Sequence, residues 1–291
     1  MKIQPFSPYL LYYNCLIISP FFILFAEKIL QTCYTSYIEA SSTVHSKITK
    51  RGKTMLFSRL FHIQRGITSL IGSGGKSTAM AILAKELKPS GRVLLTTTTH
   101  ILPIKHYPII NTYQKNLSEI LSAFQYQKEQ DIIVMGECNT DKKEEKLSAP
   151  SIELSLLLPY FDYILVEADG SKRLPLKAHA DYEPVIPPKN TQTIGIVGAS
   201  GFFQRADQVC HRLPLFQEIL KSKEIFLNNE GMITPSMVAT VLECERLCDQ
   251  VFVNQMDLIC KDKTKEIIFE FKKHLSIPTY FGSFLDHFLI E

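Results

Sequence analysis

Residues 72 to 78 read Gly72-Ser73-Gly74-Gly75-Lys76-Ser77-Thr78. Glycines let a backbone turn tightly and aim successive N–H groups inward, and a helix starting there adds partial positive charge. A lysine set among such amides meets the outer phosphates of a nucleotide, and the serine hydroxyl after it is a ligand for Mg2+. Gly72, Ser73, Gly74, Gly75, Lys76, Ser77 and Thr78 are therefore the candidate phosphate-binding residues, with Lys76 the catalytic cation and Ser77 a metal ligand. A plain strand-to-helix turn accounts for the glycines. It does not account for a lysine at a helix start, where the dipole disfavours a cation unless an anion is present.

Two acids follow the apolar run Tyr163 to Val166, in Glu167-Ala168-Asp169-Gly170-Ser171-Lys172. In phosphate-binding α/β folds an acid at a strand's C-terminal end holds Mg2+ or its water shell, or orients an attacking water. That sheet edge is also where ligands bind in such folds. Glu167 is the first candidate, as metal ligand and catalytic carboxylate, and Asp169 the second catalytic candidate. The competing reading is a turn with Asp169-Gly170 as its corner. Thr96 to Thr99 end another strand, either facing the same crevice or simply as β-formers.

The glycine loop departs from the long pattern G-x-x-x-x-G-K-[ST], because position 70 is Leu. It is a compact variant that resembles the short loop of the Mur peptide ligases. Asn254-Gln255-Met256-Asp257 resembles the N-K-x-D base-reading element of GTPases, with Gln in place of Lys. An Asp there accepts from guanine N1 and N2, while Asn holds the loop near the base. Asn254 and Asp257 are accordingly candidate nucleotide contacts, and ATP and GTP both stay open. An ordinary Asx turn is the alternative.

The elements that must position these residues follow from hydrophobic patterning. Ile67 to Ile71 is a short buried strand by length and β-branching. The helix Ser77 to Leu87 follows it, with Pro89 and Gly91 beyond. Strands are expected at 93–95, 131–135, 163–166, 193–197, 251–253 and 279–281. Helices are expected at 117–124, 151–158, 234–247 and 263–274, the third opened by Thr234 before Pro235. Continuous apolar strands separated by helices mean a parallel sheet covered on both faces. The fold class is α/β, a doubly wound, mainly parallel sheet in a three-layer sandwich like that of P-loop NTPases.

Bulk properties narrow the function further. The formal net charge of +3 divides into +4 for residues 1–54, which hold six Lys/Arg against two Glu, and −1 for residues 55–291. A near-neutral body with no basic stripe argues against a nucleic-acid surface. Seven cysteines, with no C-x-x-C pair, suit reduced thiols in the cytoplasm. Cys244 and Cys248 sit one helical turn apart. Packing explains them, and a metal or chalcogen site would need further ligands such as Cys210 and His211.

Residues 1–54 form a leader outside the expected fold. Tyr9 to Ala26 is apolar and just long enough to nominate a membrane span. A membrane contact follows only if this leader is real. A secretory signal and a start of translation at Met55, with the leader a gene-model extension, are the other readings. The domain proper is then residues 55–291.

With these residues placed, residues 55–291 resemble the YqeC family, described as accessory proteins of selenium-dependent hydroxylases or of selenium-cofactor biosynthesis. The resemblance rests on Gly72 to Thr78, Val93 to Thr99, Glu167 to Lys172 with Leu174 to Lys177, Glu183 to Pro187, His211-Arg212, and Asn254 to Asp257. Ala178-His179-Ala180 departs from the A-P-A segment expected of the family. The resemblance implies a role in supplying or inserting the selenium of molybdenum hydroxylases. The residues themselves imply Mg2+ and ATP or GTP as ligands, with hydrolysis or substrate activation, or else a nucleotide-gated partner with negligible turnover. Lys172, Arg173 and Lys177 are candidates for binding an anionic second substrate, against the alternative of a solvated loop.

Overall fold

The computed structural model describes residues 56–102, 104, 107–127, 131–138 and 146–290. The leader and the readings placed on it lie outside the described residues. Residues Met55–Glu291 form one compact unit.

Nine strands build a single sheet in the order β13-β12-β11-β9-β1-β7-β2-β5-β4. In chain order these are β1 (Gly66–Gly72), β2 (Val93–Thr97), β4 (Ile109–Asn111), β5 (Ile132–Gly136), β7 (Tyr163–Glu167), β9 (Asn190–Gly198), β11 (Gln250–Asn254), β12 (Thr279–Ser283) and β13 (Phe288–Ile290). Two small two-stranded sheets complete the set: β3 (His100–Ile101) pairs β6 (Leu147–Ser148), and β8 (Leu176–Lys177) pairs β10 (Cys210–His211). Every neighbour in the main sheet runs parallel except β13 on β12. The fold is therefore α/β with a mainly parallel sheet.

Alternation along the strands sends side chains to the two faces of the sheet, where three core clusters form. Leu70, Leu95, Leu165, Ile194, Ile196 and Phe252 pack on one face beneath helices α1 (Phe57–Leu60) and α2 (Lys76–Leu87). On the other face Ile67, Leu94, Ile133 and Ile164 meet α3 (Leu117–Tyr126). There too, Val197, Val251 and Val253 join the core of α4 (Ala206–Val209), α5 (Leu213–Lys221), α6 (Pro235–Glu245) and α7 (Lys261–His274). A sheet buried on both faces gives near-continuous apolar strands, which is why these were readable.

Central strand β1 sits between β7 and β9, and the chain leaves it toward β2 on one side before crossing to β9 on the other. Such a reversal of strand order opens a crevice at the strands' C-terminal ends. The glycine loop and both candidate acids lie at those ends.

Several elements differ from the sequence expectation. The helix expected at 151–158 is a single 3-10 turn, Leu154–Leu157. Pro150 and Pro159 bracket the segment at both ends and limit what can continue it. The helix expected to reach 247 ends at Glu245, where Arg246 turns left-handed. Cys248 thus falls outside the helix that carries Cys244. Missing from the reading were α5, whose Phe216 and Leu220 are buried one turn apart, and the short edge strands β4 and β13. The stretch after Met55 enters β1 through α1, whose Phe57 meets Phe61 (6.3 Å), Phe252 (5.5 Å) and Phe284 (4.8 Å) between ring centroids.

Phe252 is fully buried in that cluster on β11, two residues before Asn254. Phe252→Ala is expected to cost about 3–5 kcal/mol in urea unfolding, because a large core ring leaves a cavity its neighbours cannot close.

Candidate phosphate-binding site

Strand β1 ends at Gly72, and α2 begins at Lys76 with Gly75 as its N-cap and no side-chain cap. The first intrahelical bond is Ala79 N–H to Gly75 O, 2.9 Å. The amides of the first turn have no partner inside the helix, and Lys76, Ser77 and Thr78 line an open cleft of about 640 Å³. Gly74 must be glycine: its φ is +84°, and a Cβ there would lie 2.3 Å from the Gly198 Cα.

Lys76 is nearly fully buried at the cleft wall. Its Nζ donates to Gly72 O (2.6 Å) and pairs with Asp169 Oδ1 (2.9 Å) and Glu167 Oε1 (3.6 Å). The two acids supply the counter-charge that the helix dipole makes necessary. Ser77 Oγ donates to Glu167 Oε2 at 2.9 Å, so a hydroxyl and a carboxylate meet at the cleft wall. Burial pushes the Glu167 carboxyl up, against the pull of Lys76 and the Ser77 hydrogen bond.

Asp169 has a different place from Glu167. It is wholly buried and absent from the cleft lining. Its Oδ2 accepts from Gly72 N–H (2.7 Å) and Lys177 Nζ (2.9 Å) and meets His179 Nε2 at 2.8 Å. Burial acts to raise this carboxyl, but Lys76, the His179 hydrogen bond and Lys177 together hold it far below the usual carboxylate range. A carboxylate so enclosed reaches no nucleophile in the cleft. Asp169, the second catalytic candidate, accepts from the first amide of the loop and pairs with the ammonium of Lys76.

The surrounding segment is stitched to the sheet. Val185 N–H donates to Ala168 O (2.9 Å), Gly198 N–H to Pro175 O (2.9 Å), and Thr98 Oγ1 to Val185 O (2.7 Å). Lys177, expected as an anion-binding cation, is spent internally. Besides Asp169 it donates to Gly170 O (2.8 Å) and Glu183 Oε2 (3.0 Å), and Glu183 in turn binds Arg212 at 2.8 Å. Lys172 and Arg173 do line the cleft. Of the threonines, Thr97 donates to Glu167 O (2.8 Å) and accepts from Thr99 N–H (2.9 Å), which ties β2 to β7, and Thr99 reaches the cleft.

His179 is the contact that sequence reading missed, treated there only as a departure from a family pattern. Its Nδ1 lies 2.8 Å from Glu245 Oε2 and its Nε2 2.8 Å from Asp169 Oδ2, with the ring nearly inaccessible. Only the imidazolium donates from both nitrogens. Burial opposes that charge, but the hydrogen bonds to Asp169 and Glu245 outweigh it and raise the His179 pKa.

Asn254 and Asp257 part company. Asn254 Nδ2 donates to Gly74 O (2.7 Å) and its Oδ1 accepts from Phe284 N–H (3.0 Å), so it staples the glycine loop to the strand ends. Asp257 is exposed and lies outside the cleft lining, where Gln255 stands instead. Gln255 accepts from Ser200 Oγ at 2.7 Å. Cys210 and Cys248 are not brought into a ligand set: burial pushes each thiol up to about 12, with Glu245 adding to the rise at Cys210 and Asp249 at Cys248. Among the described residues no group of three His, Cys, Asp or Glu is placed to hold a metal ion, and no helix is long and apolar enough to cross a membrane.

Sheet, loop and buried acid define an α/β protein with a glycine-rich loop site at the ends of its central strands. The family model described as YqeC protein matches residues 68–214, half of the chain and the part that holds the loop, both acids and the His211-Arg212 pair; the chain belongs to the YqeC family. It is 33% identical over 141 residues to the Escherichia coli K12 protein named "Uncharacterized protein YqeC", a match that spans 45% of this chain and 51% of that protein. The alignment thus covers about half the length of that relative.

Two outcomes follow from the geometry. Because the folded pKa of His179 is raised, its stabilisation is complete below the ordinary imidazole value of 6.5 and is lost as pH rises through the folded value. Urea midpoints of the wild-type chain should therefore fall across that window, and His179→Asn should flatten the fall. Asn254→Ala should cost about 1–3 kcal/mol, the penalty for leaving the Phe284 N–H and Gly74 carbonyl unpaired, measured by the same unfolding.

Proposed function

We propose that this chain binds a nucleoside triphosphate, ATP or GTP, through Gly72–Thr78, and that its fold is of the P-loop NTPase kind. The supporting observation is the uncapped α2 N-terminus opening on a cleft, with Lys76, Ser77 and Glu167 at one corner of it. Backbone amides and a helix dipole favour a polyanion there. An arriving phosphate competes with Asp169 and Glu167 for Lys76. The lysine is thereby charged, desolvated and held within one side-chain length of its work.

The donor set at Ser77 and Glu167 is oxygen only, a hydroxyl and a carboxylate 2.9 Å apart, and it suits Mg2+, which takes few protein ligands and keeps waters and phosphate oxygens. When bound, Mg2+ supplies neutralisation of phosphate charge. Ser77 and Glu167 hold it, and Glu167 is also the only acid of the pair that reaches the cleft to orient a water. With Asp169 enclosed, one carboxylate serves both tasks. That favours slow turnover and keeps a second reading in play, a nucleotide-gated accessory protein whose bound state matters more than hydrolysis.

The cellular role we propose is the one the family resemblance implies: an accessory in the cytoplasm for selenium-cofactor biosynthesis or insertion, with a selenium-dependent molybdenum hydroxylase as partner. Magnesium with ATP or GTP at 100 times the dissociation constant should stabilise the chain by about 2.7 kcal/mol, read as a rise in melting temperature. Lys76→Ala should abolish that rise, and Ser77→Ala should remove its dependence on magnesium. If neither triphosphate protects the wild-type chain, the reading fails. Protection without phosphate release selects the accessory role over the hydrolase.

A further inference from the structure

The cleft has a second wall that the phosphate loop does not explain. Residues Gly170 to Arg173 and His211 line the cleft together with Lys76 and Ser77. Lys172 and Arg173 are consecutive residues with φ of +49° and +63°. A β-carbon makes the left-handed region unfavourable, and such residues in a row persist only where the surroundings enforce them.

The surroundings do so here. Asp169, immediately before the turn, is locked in the buried charge cluster, and Gly170 O accepts from Lys177 Nζ at 2.8 Å. Leu174 N–H closes the turn on Ser171 O at 2.9 Å, and Pro175 O is held by Gly198 N–H. The two cationic side chains therefore leave a backbone anchored at both ends.

Charge in the cleft is unbalanced toward positive. Its acids are committed: Glu167 to Lys76 and Ser77, Glu183 to Lys177 and Arg212. Lys172 and Arg173 have no acid partner among the described residues. The neighbouring His211 reports the same field, since burial together with Lys177, Arg212 and Lys172 lowers its pKa. A neutral imidazole beside two free cations offers a hydrogen bond without adding a counter-charge.

We propose that Lys172, Arg173 and His211 form a second subsite that takes the phosphate group of a small-molecule acceptor, facing a nucleotide held by the glycine loop. This deepens the nucleotide reading and rests on it. The buried cluster around Asp169 then does two jobs, fixing Lys76 on one wall and the cationic turn on the other, so that two anions are held apart by committed acids. A guanidinium adds a planar fork that matches phosphate oxygens.

The test uses inorganic phosphate as probe on the full chain, with saturating magnesium and a non-hydrolysable ATP or GTP analogue and with chloride at matched ionic strength as control. Phosphate should raise the melting temperature of the analogue-loaded wild-type chain beyond the chloride control. The double variant Lys172→Ala/Arg173→Ala alters exposed side chains and should melt normally without ligand. Its phosphate affinity should be weaker by about tenfold or more, with analogue affinity retained. Lys76→Ala should show the reverse, losing the analogue response and keeping the phosphate response. A phosphate response that survives in the double variant, or that is absent from the wild-type chain, overturns the subsite. If the analogue fails to bind while phosphate still depends on Lys172 and Arg173, the subsite stands and the nucleotide reading falls.

Discussion

A single carboxylate, Asp169, receives Lys76, Lys177, His179 and the amide of Gly72. It sits beneath the sheet edge with no access to solvent. Removing a charge from water costs several kcal/mol, and an interior pair offsets that only when geometry is good and the remaining donors and acceptors are satisfied. Here the partners come from two segments, the glycine loop with Gly72 and Lys76 and the stretch Lys177–His179, while Oδ1 is met by the Lys76 ion pair alone. The site is consequently not an assembly of independent loops. Each wall holds its shape because the other segments are bound to the same carboxylate.

This arrangement explains why the cleft is both open and ordered. The loop glycines accept left-handed backbone, but a glycine-rich turn left to itself is conformationally loose. Its two ends are therefore pinned from outside, Gly72 by Asp169 and Gly74 by Asn254. Lys76 is held in ion pairs with Asp169 and Glu167, which compensate its buried charge. The same cluster extends outward through Glu183 to Arg212, and Arg212 donates to Tyr182 while lying over its ring at 5.0 Å. Charge compensation thus runs continuously from the central strand to the rim.

The different placement of the two acids is the clearest detail that three dimensions add. Glu167 and Asp169 are two residues apart at a strand end, and by pattern either one fits a metal or a nucleophile. Residue 167 ends β7 and reaches the cleft, while the chain past it turns inward so that residue 169 falls behind the loop. A similar separation divides Asn254, a buried staple, from Asp257, which stands exposed. Lys177 is the third case: beside Lys172 and Arg173 in sequence it reads as one more surface cation, yet it is almost wholly buried in three polar contacts.

What the sequence determined alone is the set of features with a local cause. Apolar runs of strand length, a proline or glycine at several boundaries and a lysine after clustered glycines are local signals, set by backbone sterics and by side-chain burial on two faces. They placed β1, β2, β5, β7, β9, β11 and β12, the helix α2 and the glycine loop before it. Short edge strands and the 3-10 turn at Leu154–Leu157 carry too few residues for any period to show. What only the tertiary structure decided is which charges meet. His179 lies ten residues from Asp169 and sixty-six from Glu245, and nothing local to any of them records the others. Ion pairing depends on distance through space and on exclusion of water, and both arise only when the chain has closed around them.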